Sequence, residues 1–117
     1  MRWQIPDFEG TLGKKTAINA QKILIKYTIY KNDKLYGTVD IFERNYNFSL
    51  GDPKIDFGLE AIEVSGISIV KTKGELSSGG EADVSFTINN VSYLISSRLI
   101  GMSETLKIAE SIITQIQ

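Results

Sequence analysis

The sequence contains no cysteine and no histidine in 117 residues. A chain without cysteine forms no disulfide and offers no thiolate nucleophile, and a chain without histidine has no imidazole for general-base catalysis. Zinc fingers and histidine-ligated transition-metal sites are excluded for the same reason. Because cysteine-free proteins occur in every compartment, this absence favours no cellular location.

Proline and long apolar runs are also scarce. The chain has two prolines, and none of its apolar runs approaches the roughly 18 residues of a membrane-spanning helix. The first ten residues, MRWQIPDFEG, lack the apolar core of a secretory signal peptide. We therefore predict no membrane span in this chain, while an anchor elsewhere in a full-length protein stays compatible with it.

A concentrated basic surface is missing as well. The net charge is −1, with eight Lys or Arg against five Asp or Glu in residues 1–50 and five against nine in residues 51–117. Nucleic-acid binding depends on clustered positive charge. We predict no nucleic-acid partner.

The residues that are present suit a small folded domain. Hydrophobic residues make up 42% of the chain and charged residues 23%, which is enough apolar side chain for one core in a chain of this length. Residues 1–20 show no regular alternation and are predicted to be an irregular lead-in. Residues 21–117 are predicted to form the single domain.

Two segments alternate apolar and polar residues in the manner of β-hairpins. The first, QKILIKYTIYKNDKLYGTVDIFERNY, turns at Asn32–Asp33, and the second, ADVSFTINNVSYLISSRLI, turns at Asn89–Asn90. Between them, LEAIEVSGISIVKTKG is predicted to be one bent strand or two short strands broken at Ser65–Gly66. In the first hairpin, the residues expected to face the core are Ile23, Ile25, Tyr27, Ile29, Leu35, Val39 and Ile41.

The chain ends with a change to helical spacing. In LIGMSETLKIAESIITQI the apolar residues form one stripe, Ser103 is the predicted N-cap, and Gly101 lets the chain turn into the helix. An isolated helix of this length is marginal in water, so it must pack on the sheet. The predicted fold is α+β, with a curved antiparallel sheet of five to six strands built from hairpins and one face covered by the C-terminal helix.

The run NNVSYLISSRLIGMSETLKIAESIITQI resembles the C-terminal signature of a domain of unknown function from Firmicutes. In that family a tyrosine-bearing last strand precedes a capped helix whose motif is similar to Lys107–Ile112 of this chain, and Phe86 stands where tryptophan is usual. The resemblance implies a curved sheet packed on helices, in the style of lipoprotein-carrier and periplasmic sigma-regulator domains. It also implies an extracytoplasmic place in anti-sigma-factor-like membrane proteins or lipoproteins, and it brings no catalytic residues.

Carboxylates are the only candidates for chemistry. Asp52, Asp56, Glu60 and Glu63 form an acidic stretch, which a weak calcium site or a carboxylate-only hydrolase would need to converge in one place. The same residues alternate with apolar ones and fit the outer side of a strand. We therefore assign no catalytic residue, no metal ligand and no cofactor.

Aromatic residues are the strongest indication of a binding surface. Trp3, Tyr30, Tyr36 and Phe42 are predicted to form it, because the last three lie on the side of the first hairpin opposite the isoleucine stripe. In the alternative interpretation, the N-terminal segment folds over this side and covers it.

These observations favour a non-enzymatic extracytoplasmic sensor or interaction domain of a bacterial membrane-anchored regulator or lipoprotein. The expected partner is a protein or a small amphipathic ligand, and the oligomeric state is left open. The first alternative is a cytoplasmic adaptor or immunity-type module that binds a protein. The second is the carboxylate-only hydrolase.

Overall fold

The computed structural model describes residues 11–18, 22–45, 48–73 and 80–116. This part of the chain forms seven strands and one helix in the order β1 Thr11–Ile18, β2 Lys22–Lys31, β3 Lys34–Arg44, β4 Leu59–Val64, β5 Ile67–Thr72, β6 Glu81–Ile88, β7 Val91–Arg98 and α1 Met102–Ile116. The strands form one sheet in the order β1-β2-β3-β7-β6-β5-β4, and every neighbouring pair is antiparallel. The predicted α+β class, antiparallel sheet and packed C-terminal helix are confirmed.

The sheet contains one strand more than the five to six expected, and that strand lies in the predicted lead-in. Residues 11–18 form β1, which pairs with β2 from Thr11↔Tyr30 to Ile18↔Ile23. An edge strand bonds to a neighbour on one side only, and lysines are common on such edges. The lysine pair Lys14–Lys15, which interrupts the apolar alternation, is therefore compatible with a strand at this position.

Tight turns close the hairpins where the sequence predicts them. The turn residues have φ angles of 54° and 61° at Asn32–Asp33 and of 52° and 65° at Asn89–Asn90. Two successive positive φ angles are typical of the type I′ turn, whose twist matches that of the flanking strands. The middle segment is two strands joined at Ser65–Gly66, where φ is 50° and 83°.

The helix begins slightly earlier than predicted. It starts at Met102, so Ser103 lies in its first turn and the prediction of Ser103 as the N-cap is wrong. Gly101, with φ of 88°, takes the cap position because glycine adopts this angle without strain. Its carbonyl oxygen accepts hydrogen bonds from the Thr105 backbone N–H at 3.2 Å and from Thr105 Oγ1 at 2.7 Å.

The core lies between α1 and one side of the sheet, which we call the helix face. The helix contributes Thr105, Ile108, Ala109, Ile112 and Ile113. The sheet contributes buried apolar residues from five strands, β2, β3, β5, β6 and β7, including Ile25, Tyr27, Ile29, Val39, Ile41, Ile69, Val84, Phe86, Tyr93 and Ile95. Within the described part of the chain, the single helix is not long and apolar enough to cross a membrane.

The other side of the sheet, the open face, is crossed by the connection between β3 and β4. The Phe48 N–H donates to Ser92 Oγ at 3.0 Å, and the Leu50 N–H donates to Ser85 Oγ at 3.1 Å. The connection therefore passes over β7 and β6 before it reaches β4 at the far edge. It covers one end of the open face and leaves the β2–β3 hairpin end uncovered by the described part of this connection.

Candidate binding face

A row of polar side chains crosses the middle of the open face. The strand registers place Lys26 beside Asp40, Asp40 beside Ser96, and Ser96 beside Asp83. Lys26 Nζ lies 3.9 Å from Asp40 Oδ1. Asp83 is 8% exposed, and the Oδ1 atoms of Asp40 and Asp83 are buried without accepting a hydrogen bond. Buried carboxylate oxygens normally have partners, so this row has a cost in stability.

Glu81, two residues before Asp83 at the start of β6, is a second acidic residue on this face. A hydrogen bond with Asp83 and its negative charge raise the pKa of Glu81 above its ordinary value, because two close carboxylates are poorly tolerated when both are charged. Arg98 Nη2 lies 3.0 Å from Glu81 Oε1 and acts in the opposite direction. Glu81 therefore takes up a proton more readily than an isolated glutamate.

An aromatic and arginine stack occupies the end of the open face beneath the connection. The Arg44 guanidinium lies 5.2 Å from the ring centre of Phe42 and 4.2 Å from that of Phe48, which is cation–π geometry. Phe42 is half-buried in this stack. Its position six residues along the strand from the level of Tyr30 puts the two about 20 Å apart. The structure does not bring Phe42 together with Tyr30 and Tyr36.

Tyr30 and Tyr36 do lie together, at the end of the β2–β3 hairpin. The register passes from Ile29↔Gly37 to Tyr30↔Leu35, so Tyr36 is the extra residue of a β-bulge. The bulge also corrects one prediction, because it turns Leu35 out of the core, where 55% of its surface is exposed. Tyr30 is 43% exposed and Tyr36 40%.

A leucine from a different part of the chain joins this group. A Cβ on Gly37 would lie 2.6 Å from the Arg98 carbonyl oxygen and 2.5 Å from Ile100 Cγ2, so β3 packs closely against the turn that follows β7. Leu99, between those two residues, is 54% exposed. We call Tyr30, Leu35, Tyr36 and Leu99 the hairpin-end patch.

Leu99 also has an unusual backbone. Its φ is 72°, an angle that costs a residue with a Cβ roughly 1–2 kcal/mol. The Leu99 N–H donates to the Gly80 carbonyl oxygen at 3.3 Å. Sequence patterns do not indicate such an angle for leucine, and Leu99 was missed for that reason. Trp3, the remaining predicted binding residue, lies outside the described residues.

The acidic stretch does not converge on one point. Asp52 Oδ1 accepts from the Lys54 N–H and Asp56 Oδ1 accepts from the Gly58 N–H, both at 2.9 Å. Glu60 pairs with Lys71 instead, and this hydrogen-bonded lysine lowers the pKa of Glu60. No group of three or more acidic residues in the described ranges could hold a metal ion.

One family model matches most of the chain. A family described as a domain of unknown function, DUF4367, matches residues 5–112. The chain belongs to the DUF4367 family. The DUF4367 match includes all seven strands and most of α1, so the candidate binding face lies within the family domain. Searches of the curated proteins and of the solved structures found no match.

Proposed function

We propose that this DUF4367 domain is a non-catalytic binding module that contacts a protein partner through the hairpin-end patch. The observation that carries the proposal is that Tyr30, Leu35, Tyr36 and Leu99 lie at the same end of the sheet, each between 40% and 55% exposed. Scattered apolar residues are ordinary on a protein surface, whereas adjacent ones are typical of contact sites. Tyrosine contributes strongly to such contacts, since its ring is large and loses little conformational freedom.

The patch rests on a rigid support. Its tyrosines belong to paired strands, and close packing at Gly37 fixes the hairpin against the turn that carries Leu99. Contact sites on strands are held more accurately than sites on loops. The other exposed apolar pair, Ile55 and Phe57, is 79% and 77% exposed but lies on the irregular connection between β3 and β4. This pair serves as the comparison surface.

The proposal includes an extracytoplasmic location, in an anti-sigma-factor-like regulator or a lipoprotein. The resemblance of the C-terminal hairpin and of the Lys107–Ile112 motif to a Firmicutes domain supports it. A binding module outside the membrane would pass a signal by holding or releasing its partner. The patch would then face that partner rather than the remainder of the chain.

Photocrosslinking in living cells tests the contact. Benzoylphenylalanine at Tyr36 is expected to give one protein adduct of defined mass, because the patch is covered by the partner. The matched control is benzoylphenylalanine at Phe57, an aromatic position with greater exposure. The adduct at position 36 is expected to disappear when Tyr30→Ser and Leu99→Ser are added. An adduct that survives both substitutions, or that forms equally from position 57, contradicts the proposed contact.

Protease added to cells after removal of the wall tests the location. An extracytoplasmic domain is degraded in intact cells, whereas a cytoplasmic marker protein is spared. Protection equal to that of the marker contradicts the extracytoplasmic part of the proposal. That result, together with a specific adduct at Tyr36, would favour the cytoplasmic adaptor instead.

A further inference from the structure

The ladder between β5 and β6 is shorter than the two strands. These strands pair at two positions only, Val70↔Ser85 and Lys71↔Val84. By contrast, β5 pairs with β4 at six positions, and β6 pairs with β7 at eight. Continued pairing would place Ile67–Ile69 opposite Phe86–Ile88, but these segments do not pair.

A cleft of about 280 Å³ lies beside the unpaired parts of β5 and β6. One wall is β5, the other wall is β6, and the third side is the connection that crosses the open face. The residues around it combine aromatic rings, aliphatic groups and hydroxyls, among them Phe48, Ser49, Ile67, Ser68, Phe86 and Thr87. Among the residues that the structure describes, no charged side chain lines the cleft.

Both walls present backbone groups to the cleft. In an antiparallel strand, alternate residues direct their N–H and C=O groups to opposite neighbours. The groups of β5 that point toward β4 are used in that ladder, and the groups of β6 that point toward β7 are used in the other. The alternate groups within Ile67–Ile69 and Phe86–Ile88 therefore face each other across the gap without a ladder. Backbone donors and acceptors near a protein interior need partners.

The connection between β3 and β4 borders the cleft. Phe48 and Ser49 lie against it, and Phe48 is fixed by its N–H bond to Ser92 Oγ and by the Arg44 guanidinium over its ring. On the helix face, Ile69 and Phe86 remain buried in the core. The unpaired stretch therefore lies between two packed regions, the connection on the open face and the core on the helix face.

We propose that this cleft binds an extended, uncharged peptide segment of a partner protein, which adds to the free backbone edge as a strand does. Strand addition supplies main-chain hydrogen bonds, and the surrounding pockets select the side chains. The unpaired stretch on each wall is three residues, or about 10 Å, long. A bound peptide could therefore pair along about three of its own residues. The described residues around the cleft carry no charge, which favours a neutral segment with small or apolar side chains. The proposal does not depend on the hairpin-end patch.

Phage display with the full chain as the target tests the site. The probe is a library of seven-residue peptides that lack Asp, Glu, Lys and Arg. We expect enriched peptides to bind the wild type and to lose about tenfold or more in affinity on Ser68→Trp, because the indole occupies the cleft. Glu63→Trp is the matched control, since Glu63 is exposed opposite Ser68 in the β4–β5 ladder but does not line the cleft. It is expected to bind within about twofold of the wild type.

A second measurement asks whether the backbone carries the binding. The best peptide is resynthesised with its amide nitrogens methylated, singly and in turn. Strand addition predicts that methylation at alternate positions abolishes binding, and that the amide resonances of Ile67–Ile69 and Phe86–Ile88 shift on addition of the unmodified peptide. Thr87→Trp, an exposed residue on the opposite wall, replaces Ser68→Trp if the latter does not fold.

Three results would overturn the proposal. The first is a library with no peptide enriched on the wild type over the Trp variant. The second is affinity unchanged by methylation at every amide. The third is a set of resonance shifts that lies at the hairpin-end patch instead of the cleft, which would assign peptide binding to the proposed function's surface.

Discussion

Buried polar groups differ in their hydrogen bonding between the two faces of the sheet. On the helix face, Ser97 Oγ lies 2.6 Å from Thr105 Oγ1, and the Tyr93 hydroxyl donates to Glu43 Oε1 at 3.3 Å. In the described ranges, every buried side-chain nitrogen or oxygen without a hydrogen bond lies on the open face, and these atoms belong to Asp40, Arg44 and Asp83. The unsatisfied buried side-chain atoms of the described residues are therefore confined to one face, although other polar groups on that face, such as Ser85 and Ser92, have partners.

This difference between the faces indicates which face contributes more to the stability of the fold. Each unsatisfied buried polar group costs about 1–3 kcal/mol. Proteins tend to keep such local costs at surfaces that serve another purpose. The helix supplies partners for the polar groups beneath it, and the open face has no equivalent layer in the described part of the chain. The helix face is accordingly the source of the fold's stability.

The largest expected effect comes from placing a charge under the helix. Ile112 is fully buried, so Ile112→Asp should lower the free energy of unfolding by about 3 kcal/mol or more, because the carboxylate has no partner there. Thr114→Asp, on the exposed side of the same helix, should cost less than about 1 kcal/mol. Urea unfolding of both variants measures the difference. Equal losses would mean that the helix does not pack by the face seen here.

A smaller effect compares one hydroxyl pair on each face. Thr105→Val removes the closer of the two partners of the buried Ser97 hydroxyl, which also donates to the Ala82 carbonyl oxygen at 3.4 Å. It also removes the bond to the Gly101 carbonyl oxygen, and it should cost about 1–3 kcal/mol. Thr87→Val removes the 2.9 Å contact with Ser92 Oγ on the open face, but Thr87 is exposed and its loss should cost less than about 0.5 kcal/mol. Thermal and urea unfolding check both values. A cost at Thr87 equal to that at Thr105 would remove the distinction between the faces.

Removing a charge from the open face should be close to neutral. Asp83→Asn keeps the shape of the side chain while it removes a buried charge whose Oδ1 accepts no hydrogen bond. We expect the free energy of unfolding at pH 7 to stay the same or to rise by up to about 1 kcal/mol. Urea unfolding beside wild type measures it. A loss of more than about 2 kcal/mol would show that the Asp83 carboxylate is well stabilised in the fold.

The smallest effects are those of pH, and they have opposite signs at two glutamates. Asp83 raises the pKa of Glu81 above 4.5, so the stability contributed by Glu81 is present below the unfolded pKa and is lost as pH rises through the folded pKa. Lys71 lowers the pKa of Glu60 below 4.5, so its contribution is present above the unfolded pKa and is lost as pH falls through the folded pKa. Linkage between protonation and folding requires both signs.

Unfolding measured from pH 3 to pH 8 separates the two contributions. Glu81→Gln should remove the part of the stability that declines above pH 4.5, and Glu60→Gln should remove the part that declines below it. An NMR titration of Glu81 in Asp83→Asn should give a pKa closer to its ordinary value. A Glu81 pKa that does not change in this variant would contradict Asp83 as the cause of the raised pKa.

The sequence predicted the features that depend on local spacing. Alternation predicted both faces of the first hairpin except at Leu35, and the asparagine turns were located correctly. The apolar stripe predicted Ala109, Ile112 and Ile113 as buried residues of α1 but missed Thr105 and Ile108. Ile108 falls on the stripe's edge, where helical spacing alone does not decide burial. The membership in a family of domains of unknown function is confirmed, and its link with Firmicutes regulators stays a prediction.

The features that sequence reasoning missed depend on pairing between distant strands. The Asp40, Ser96 and Asp83 row exists because β7 lies between β3 and β6, and no local pattern encodes that order. The bulge at Tyr36 moves Leu35 outward by changing the register by one residue. Arg44 and Phe48 meet because the chain turns across the sheet after β3. Each of these depends on tertiary structure.

The position of β7 has a consequence for how the molecule forms. It is the last strand in the chain and yet the central one in the sheet, and its pairing with β3 joins residues such as Ile41 and Ile95. During synthesis, β1 to β3 and β4 to β6 are complete before the strand that unites them has been made. Contacts between such distant residues slow folding, and unpaired strand edges attract other chains in the meantime. The polypeptide therefore passes through a stage in which the strands of two half-sheets exist and the strand that joins them does not.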